Sequence, residues 1–160
     1  MTESCRGRMN IESKSGPHPP KEQVAILLVD DDLNDVLLVQ RAMKKAGLSH
    51  PLIHKQDGEE AIDYLSGKPP YADRAKHPLP RLILLDIKMP KLSGFDVLNW
   101  IQRQPALPKI PVVILTASVR QEDRNEAQKL GAVAFRTKPI DFSELVNILR
   151  EVEARWLSQI

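Results

Sequence analysis

The sequence predicts an alternating α/β domain whose parallel sheet is covered by helices on both faces. Three observations carry this reading. Four short apolar runs, residues 25–29, 82–85, 111–115 and 132–135, have the length and aliphatic content of buried strands. Amphipathic stretches of helical length lie between them, and strands buried on both faces read as continuous apolar runs rather than alternating ones. Each run also leads into a polar residue suited to chemistry: Asp30 and Asp31, Asp86, Thr116, and finally Lys138. Open parallel sheets bind ligands at the carboxyl ends of their strands, so these residues are expected to converge.

Taken in order, five strand-helix units follow from Val24 onward. The first helix is expected to turn an apolar stripe inward through Leu33, Val36, Leu37, Gln40, Met43 and Lys44, with Gly47 as a left-handed C-terminal cap. A short second strand, residues 52–55, leads through Asp57 and Gly58 into a helix over 59–65. Residues 66–81 carry Gly67 and four prolines (Pro69, Pro70, Pro78 and Pro80), too many imino acids for a helix and too many residues for an ordinary connection, so they read as an inserted loop. The third helix opens at Ser93 and Gly94, buries Phe95, Val97, Leu98 and Ile101, and closes before Pro105. The fourth, residues 121–130, is mostly polar with a narrow apolar face at Ala127 and Leu130. The last runs from Asp141 nearly to the end with Phe142, Leu145, Val146, Leu149, Val152 and Trp156 at helical spacing.

Composition narrows the classes of partner. Twenty-three basic residues against twenty-one acidic leave a net charge of +2, spread without a basic block, so a protein partner is expected rather than nucleic acid. Cys5 is the only cysteine, which excludes an internal disulfide and a cysteine metal cluster and fits the cytoplasm. No apolar stretch approaches the roughly 18 residues of a membrane span, and the first residues lack the apolar centre of a secretory signal. Residues 1–22 are rich in Ser, Pro and charge and are expected to form a flexible tail, leaving residues 23–160 as the folded domain. The four histidines, at 18, 50, 54 and 77, are scattered and read as surface residues rather than ligands.

The strand-end residues suit phosphoryl transfer. Magnesium prefers oxygen ligands and takes one or two carboxylates besides water and phosphate oxygens, which Asp31 and Asp86 can supply. Several carboxylates packed together repel and resist ionising together, so such a cluster needs a cation, and Lys138 offers a second positive charge. Transfer to a carboxylate is catalysed mainly by positioning and by neutralising the equatorial oxygens. Other readings apply to each residue singly. Asp31 or Asp32 suits a helix N-cap, Thr116 a strand end and Lys138 a solvated amine.

These motifs resemble the receiver domains of two-component response regulators, over about residues 24–157. Leu28-Val29-Asp30-Asp31, Leu84-Leu85-Asp86-Ile87-Lys88-Met89-Pro90, Leu115-Thr116-Ala117 and Lys138-Pro139 stand where that family has its acidic pair, phosphoacceptor, hydroxyl and lysine. The resemblance implies a flavodoxin-like (βα)5 fold, a doubly wound parallel five-stranded sheet in the order 2-1-3-4-5. It implies that Asp86 accepts a phosphoryl group from a histidine kinase. Mg2+ would be bound directly by Asp31, Asp86 and the backbone carbonyl of Lys88, and through a water by Asp30. Lys138 would contact the phosphoryl group, with a cis bond to Pro139. Thr116 and the aromatic residue three before the lysine, here Phe135, would form the switch. Phe135 brings a ring without a hydroxyl, and ordinary core packing is its other reading. Such a domain is a phosphoacceptor rather than an enzyme on other molecules.

The inserted loop and long last helix look like the single-domain regulators associated with bacterial phytochromes, which signal through protein contacts. Trp156 and Leu157 extend beyond the usual last helix, and as exposed apolar residues they would favour a homodimer. Rival readings fit less well. An aspartyl-nucleophile phosphatase usually carries a second acid where this chain has Lys88. A dinucleotide or flavin carrier would need a Gly-rich phosphate loop where Asp30, Asp31 and Asp32 stand. A receiver that acts only as a binding module, without phosphorylation, is the remaining alternative.

Overall fold

In the computed structural model, which describes residues 24–158, β1 (Ile26–Val29) lies between two parallel neighbours. Ile26 faces Leu52 of β2 (Leu52–Lys55) on one side and Leu82 of β3 (Leu82–Leu85) on the other. Beyond β3 come β4 (Val112–Thr116) and β5 (Ala134–Thr137), all parallel. The order is therefore β2-β1-β3-β4-β5, the expected 2-1-3-4-5 arrangement. The expected tail, with Cys5 and His18, lies outside the described residues.

Strand side chains alternate between two cores because successive residues point to opposite faces. Ile26, Leu28, Leu82 and Leu84 pack under α1 (Leu33–Lys45) and α5 (Phe142–Trp156). Leu27, Val29, Ile83 and Leu85 pack against α2 (Gly58–Ser66), α3 (Gly94–Gln102) and α4 (Gln121–Lys129) through Ala61, Leu98 and Ala127. Burying each such aliphatic side chain contributes about 1.5–3 kcal/mol, and the three central strands are buried along their whole lengths.

Several expectations need correction. In α1 the inward stripe is Val36, Val39, Ala42 and Met43, while Leu33 and Leu37 are exposed. The sheet-facing line follows 36, 39 and 43, and 33–37 lies one ridge to its side. The last strand begins at Ala134 rather than 132. Gly131, at φ 98°, and Ala132, whose N–H donates to the Ala127 carbonyl at 3.0 Å, belong to the turn that closes α4. Gly47 does take the left-handed conformation expected of it, at φ 79°.

The exposed apolar end expected of the last helix is absent. Leu157 is 4 % exposed within its own core, and Trp156 is partly buried against the same cluster, so the ground for a homodimer through these residues is removed. Among the described residues the cis peptide bond is Pro69–Pro70, and Lys138–Pro139 is trans, the commoner isomer of a prolyl bond. Nor are His50, His54 and His77 plain surface residues. Each is half-buried with a partner: Glu153 for His50, the Asp30 carbonyl for His54, and the Tyr64 and Tyr71 rings for His77.

The inserted loop is ordered by one side chain. Arg74 donates to the carbonyls of Tyr64 at 3.0 Å, Leu65 at 2.9 Å and His77 at 3.1 Å, which caps the end of α2 and ties the insertion to it. Tyr64 donates its hydroxyl to the Pro78 carbonyl at 2.6 Å, and the Lys55 ammonium lies 4.5 Å from the Tyr71 ring centre. No described helix is long and apolar enough to cross a membrane.

Candidate phosphoacceptor site

Register places the acids together. Val29 and Leu85 are paired across β1 and β3, and the N–H of Asp86 donates to the Val29 carbonyl at 3.0 Å, so Asp30 and Asp86 leave the sheet side by side. Asp31 follows, and carboxylate oxygens of Asp30, Asp31 and Asp86 all lie within 4.8 Å of one another. Lys138 comes from the far side of the sheet, after β5, with its N–H on the Thr116 carbonyl at 2.6 Å. Its ammonium reaches Asp30 at 2.8 Å, Asp86 at 3.1 Å and Asp35 at 2.7 Å.

Local structure fixes these side chains. Asp32 is the N-cap of α1, accepting from the N–H groups of Asn34 and Asp35, which leaves Asp31 exposed and free of that duty. Asp30 accepts from the Asp32 N–H at 2.9 Å, and His54 Nε2 donates to the Asp30 carbonyl at 2.8 Å. Asp86 accepts from the Lys88 N–H at 3.4 Å. The loop after it turns sharply, with Lys91 at φ 68° and Gly94 pressed against the Asp86 carbonyl. A Cβ at Gly94 would also lie 2.7 Å from the Ile87 Cα, so only glycine fits there. Ser93 then opens α3 in a capping box with Asp96.

Charge is unbalanced at this edge. Burial raises the Asp30 carboxyl above its ordinary range, an effect that bonds from Lys138 and the Asp32 N–H only partly offset. For Lys138, burial alone would weaken its hold on a proton. The hydrogen bonds to Asp30 and Asp35 and the charges of Asp86 and Asp30 outweigh that, and its pKa is raised. Three carboxylates thus share one ammonium, and a fourth, Asp31, stands beside them. Hard oxygen donors in negative excess fit an Mg2+ or Mn2+ type cation and suit soft or thiophilic metals poorly.

The hydroxyl and aromatic residues lie behind the acids. Thr116 is fully buried, with its Oγ1 accepting from the Ser118 N–H at 3.3 Å. Phe135 is 6 % exposed in the second core, beneath the Arg124 guanidinium at 4.7 Å from the ring centre. The structure thus brings Asp30, Asp31, Asp86 and Lys138 into one cluster and places Thr116 against the backbone of Lys138. Trp156 and Leu157 stand apart from it. Sequence reasoning missed Asp35, whose place in the first turn of α1 looks like ordinary helix-dipole compensation. It also missed the buried Asp123 in a helix whose apolar face reads as Ala127 and Leu130 alone.

The comparisons with known proteins agree with this geometry. The family of the response regulator receiver domain matches residues 26–150. The response regulator Rcp1 of Synechocystis is 36 % identical over 143 residues, covering 89 % of this chain and 93 % of Rcp1. Among solved structures, the phosphorylated cyanobacterial phytochrome response regulator RcpA superposes with a TM-score of 0.78 at 35 % identity, over 86 % of this chain and 96 % of that one. The Mn2+-bound form of Rcp1 superposes with a TM-score of 0.74 at 35 % identity, over 85 % and 96 %. With the 2-1-3-4-5 sheet, the acidic cluster and a match spanning every strand, the chain belongs to the response regulator receiver domain family.

Proposed function

We propose that this protein is a phosphorylation switch in which Asp86 takes a phosphoryl group from the phosphohistidine of a sensor kinase. A carboxylate oxygen of Asp86 attacks phosphorus, the P–N bond breaks with its electron pair going to the departing imidazole, and an acyl phosphate remains on Asp86. The observation that carries this reading is Lys138, held within 3.1 Å of Asp86 and ready to follow charge onto a phosphoryl oxygen.

Asp31, Asp86 and the Lys88 carbonyl are the direct Mg2+ ligands in this reading, with Asp30 acting through a water. The cation, when bound, supplies the positive charge that phosphoryl oxygens require. Thr116 donates its hydroxyl to the phosphoryl group, and Phe135 follows as the aromatic member of the switch. The likeness to the phytochrome response regulator RcpA supports a phytochrome-type kinase as the donor, and the single cysteine fits the cytoplasm as the setting. A homodimer would need a surface other than Leu157, which its own core already covers.

Incubation with Mg2+ and acetyl phosphate tests the reading. One phosphoryl group is expected on the protein by intact mass, and none on Asp86→Asn. Labelling retained in that variant would move the acceptor, and no labelling of the unaltered protein would favour a phosphorylation-independent binding module.

A further inference from the structure

A second buried polar cluster lies behind the acids, spanning the β4–α4 loop and the first turn of α4. Ser118 and Asp123 are 5 % and 9 % exposed, and the Ser118 hydroxyl donates to Asp123 Oδ2 at 2.5 Å. Every other polar group of Ser118 is also engaged. Its N–H donates to Thr116 Oγ1, its Oγ accepts from the Arg120 N–H at 3.2 Å, and its carbonyl accepts from the Thr137 hydroxyl at 3.2 Å. A hydrogen-bonded chain therefore runs from Thr116 to a carboxylate on α4.

Helix α4 has little else to hold it. Arg120 at its N-cap makes no side-chain cap bond, and its buried residues are Asp123 and Ala127. Arg124, next to Asp123, is the other tether, lying over the Phe135 ring and donating to the Phe135 carbonyl at 3.3 Å. A hydroxyl-to-carboxylate bond out of water is stronger than a neutral one, and losing either partner leaves the other buried and unsatisfied.

We propose that Ser118 and Asp123 form a latch that holds Thr116 and α4 in the resting arrangement, making them positioning residues for the phosphoryl switch. This rests on Asp86 being the phosphoacceptor. Movement of Thr116 toward a phosphoryl group on Asp86 strains its bond from the Ser118 N–H, and Ser118 cannot follow without loosening Asp123. A bond made in one of two states biases their equilibrium by its own strength, so the latch opposes activation until a phosphoryl group is present.

Beryllium fluoride, a phosphoryl mimic, tests this with Mg2+ by calorimetry. Ser118→Ala and Asp123→Ala are each expected to bind it about fivefold or more tightly than the unaltered protein, while the affinity for Mg2+ alone stays the same. The double variant should gain little beyond either single one, because both break one bond. Asp123→Asn, which keeps an acceptor, should restore most of the resting affinity. Equal or weaker binding by the Ala variants overturns the latch. An unaltered protein that neither binds beryllium fluoride nor takes a phosphoryl group overturns the phosphoacceptor reading instead. Should Asp123→Ala fail to fold, Ser118→Ala, which deletes one hydroxyl and no charge, decides the matter.

Discussion

Lys138 Nζ lies closer to Asp35 Oδ2, at 2.7 Å, than to Asp86 Oδ2, at 3.1 Å, across 103 residues of chain. One ammonium is therefore divided among Asp30, Asp35 and Asp86, and it is the only cation bonded to any of them among the described residues. Whatever shifts this division shifts the site.

Removing the lysine leaves its carboxylates facing each other. Lys138→Ala is expected to lower the stability of the metal-free protein by about 2 kcal/mol, below the range for fully buried pairs because water reaches one side. The stabilisation gained on adding Mg2+ should exceed that of the unaltered protein, since the cation then takes over the lost charge. Urea midpoints with and without Mg2+ measure both.

Removing a carboxylate has the opposite sign. Asp86→Asn relieves repulsion within the cluster and is expected to stabilise the metal-free fold by about 1 kcal/mol, the size of a unit-charge repulsion at about 4 Å in water. A lower urea midpoint for this variant would mean that its bond to Lys138 outweighs the repulsion.

Asp30 gives the metal-free protein a definite pH dependence. Its folded pKa is raised, so at a pH between the unfolded and folded values the native state keeps a proton that the unfolded chain has released. Its contribution is destabilising once pH exceeds the folded pKa, and it vanishes below the unfolded value of about 3.9. In Asp30→Asn, the loss of stability as pH rises out of the carboxylate range should be reduced relative to the unaltered chain.

Metal binding can be read through stability alone. If Mg2+ binds the folded form only, free Mg2+ at 100 times its dissociation constant stabilises by about 2.7 kcal/mol. Asp31→Ala should abolish most of this gain while leaving the metal-free midpoint nearly unchanged, because Asp31 is exposed and does not cap the helix.

Gly94 answers to backbone contact rather than charge. Gly94→Ala forces a Cβ into the Asp86 carbonyl and the Ile87 Cα, and a loss of more than about 2 kcal/mol is expected. Phosphorylation by acetyl phosphate should slow as well, since the displaced backbone carries the acceptor.

Strands β1, β3 and β4 were legible because burial on both faces makes their residues uniformly apolar, and the residues that end them were legible with them. Edge strand β5 was misplaced by two residues because half of it is polar and the apolar run before it is a turn. Asp35 and Asp123 escaped notice for a different reason. Each sits at a position where a polar residue has a sufficient local explanation, and their real partners are distant in sequence or hidden by the packing of α4. Leu157 erred the other way, since an apolar residue past the usual end of a helix is equally consistent with a self-covered core.

The insertion anchored by Arg74 joins the end of α2 to the start of β3, and both lie at the amino edge of the sheet, opposite the acidic cluster. Its Tyr71 nevertheless reaches the other edge, where the phenol accepts from Lys55 Nζ at 3.2 Å while the Lys55 carbonyl accepts from the Asp30 N–H at 3.1 Å. A fluorophore or epitope grafted at exposed Ala75 or Lys76 would leave both that contact and the Arg74 anchor in place, whereas a change at Tyr71 would be felt beside the reactive edge.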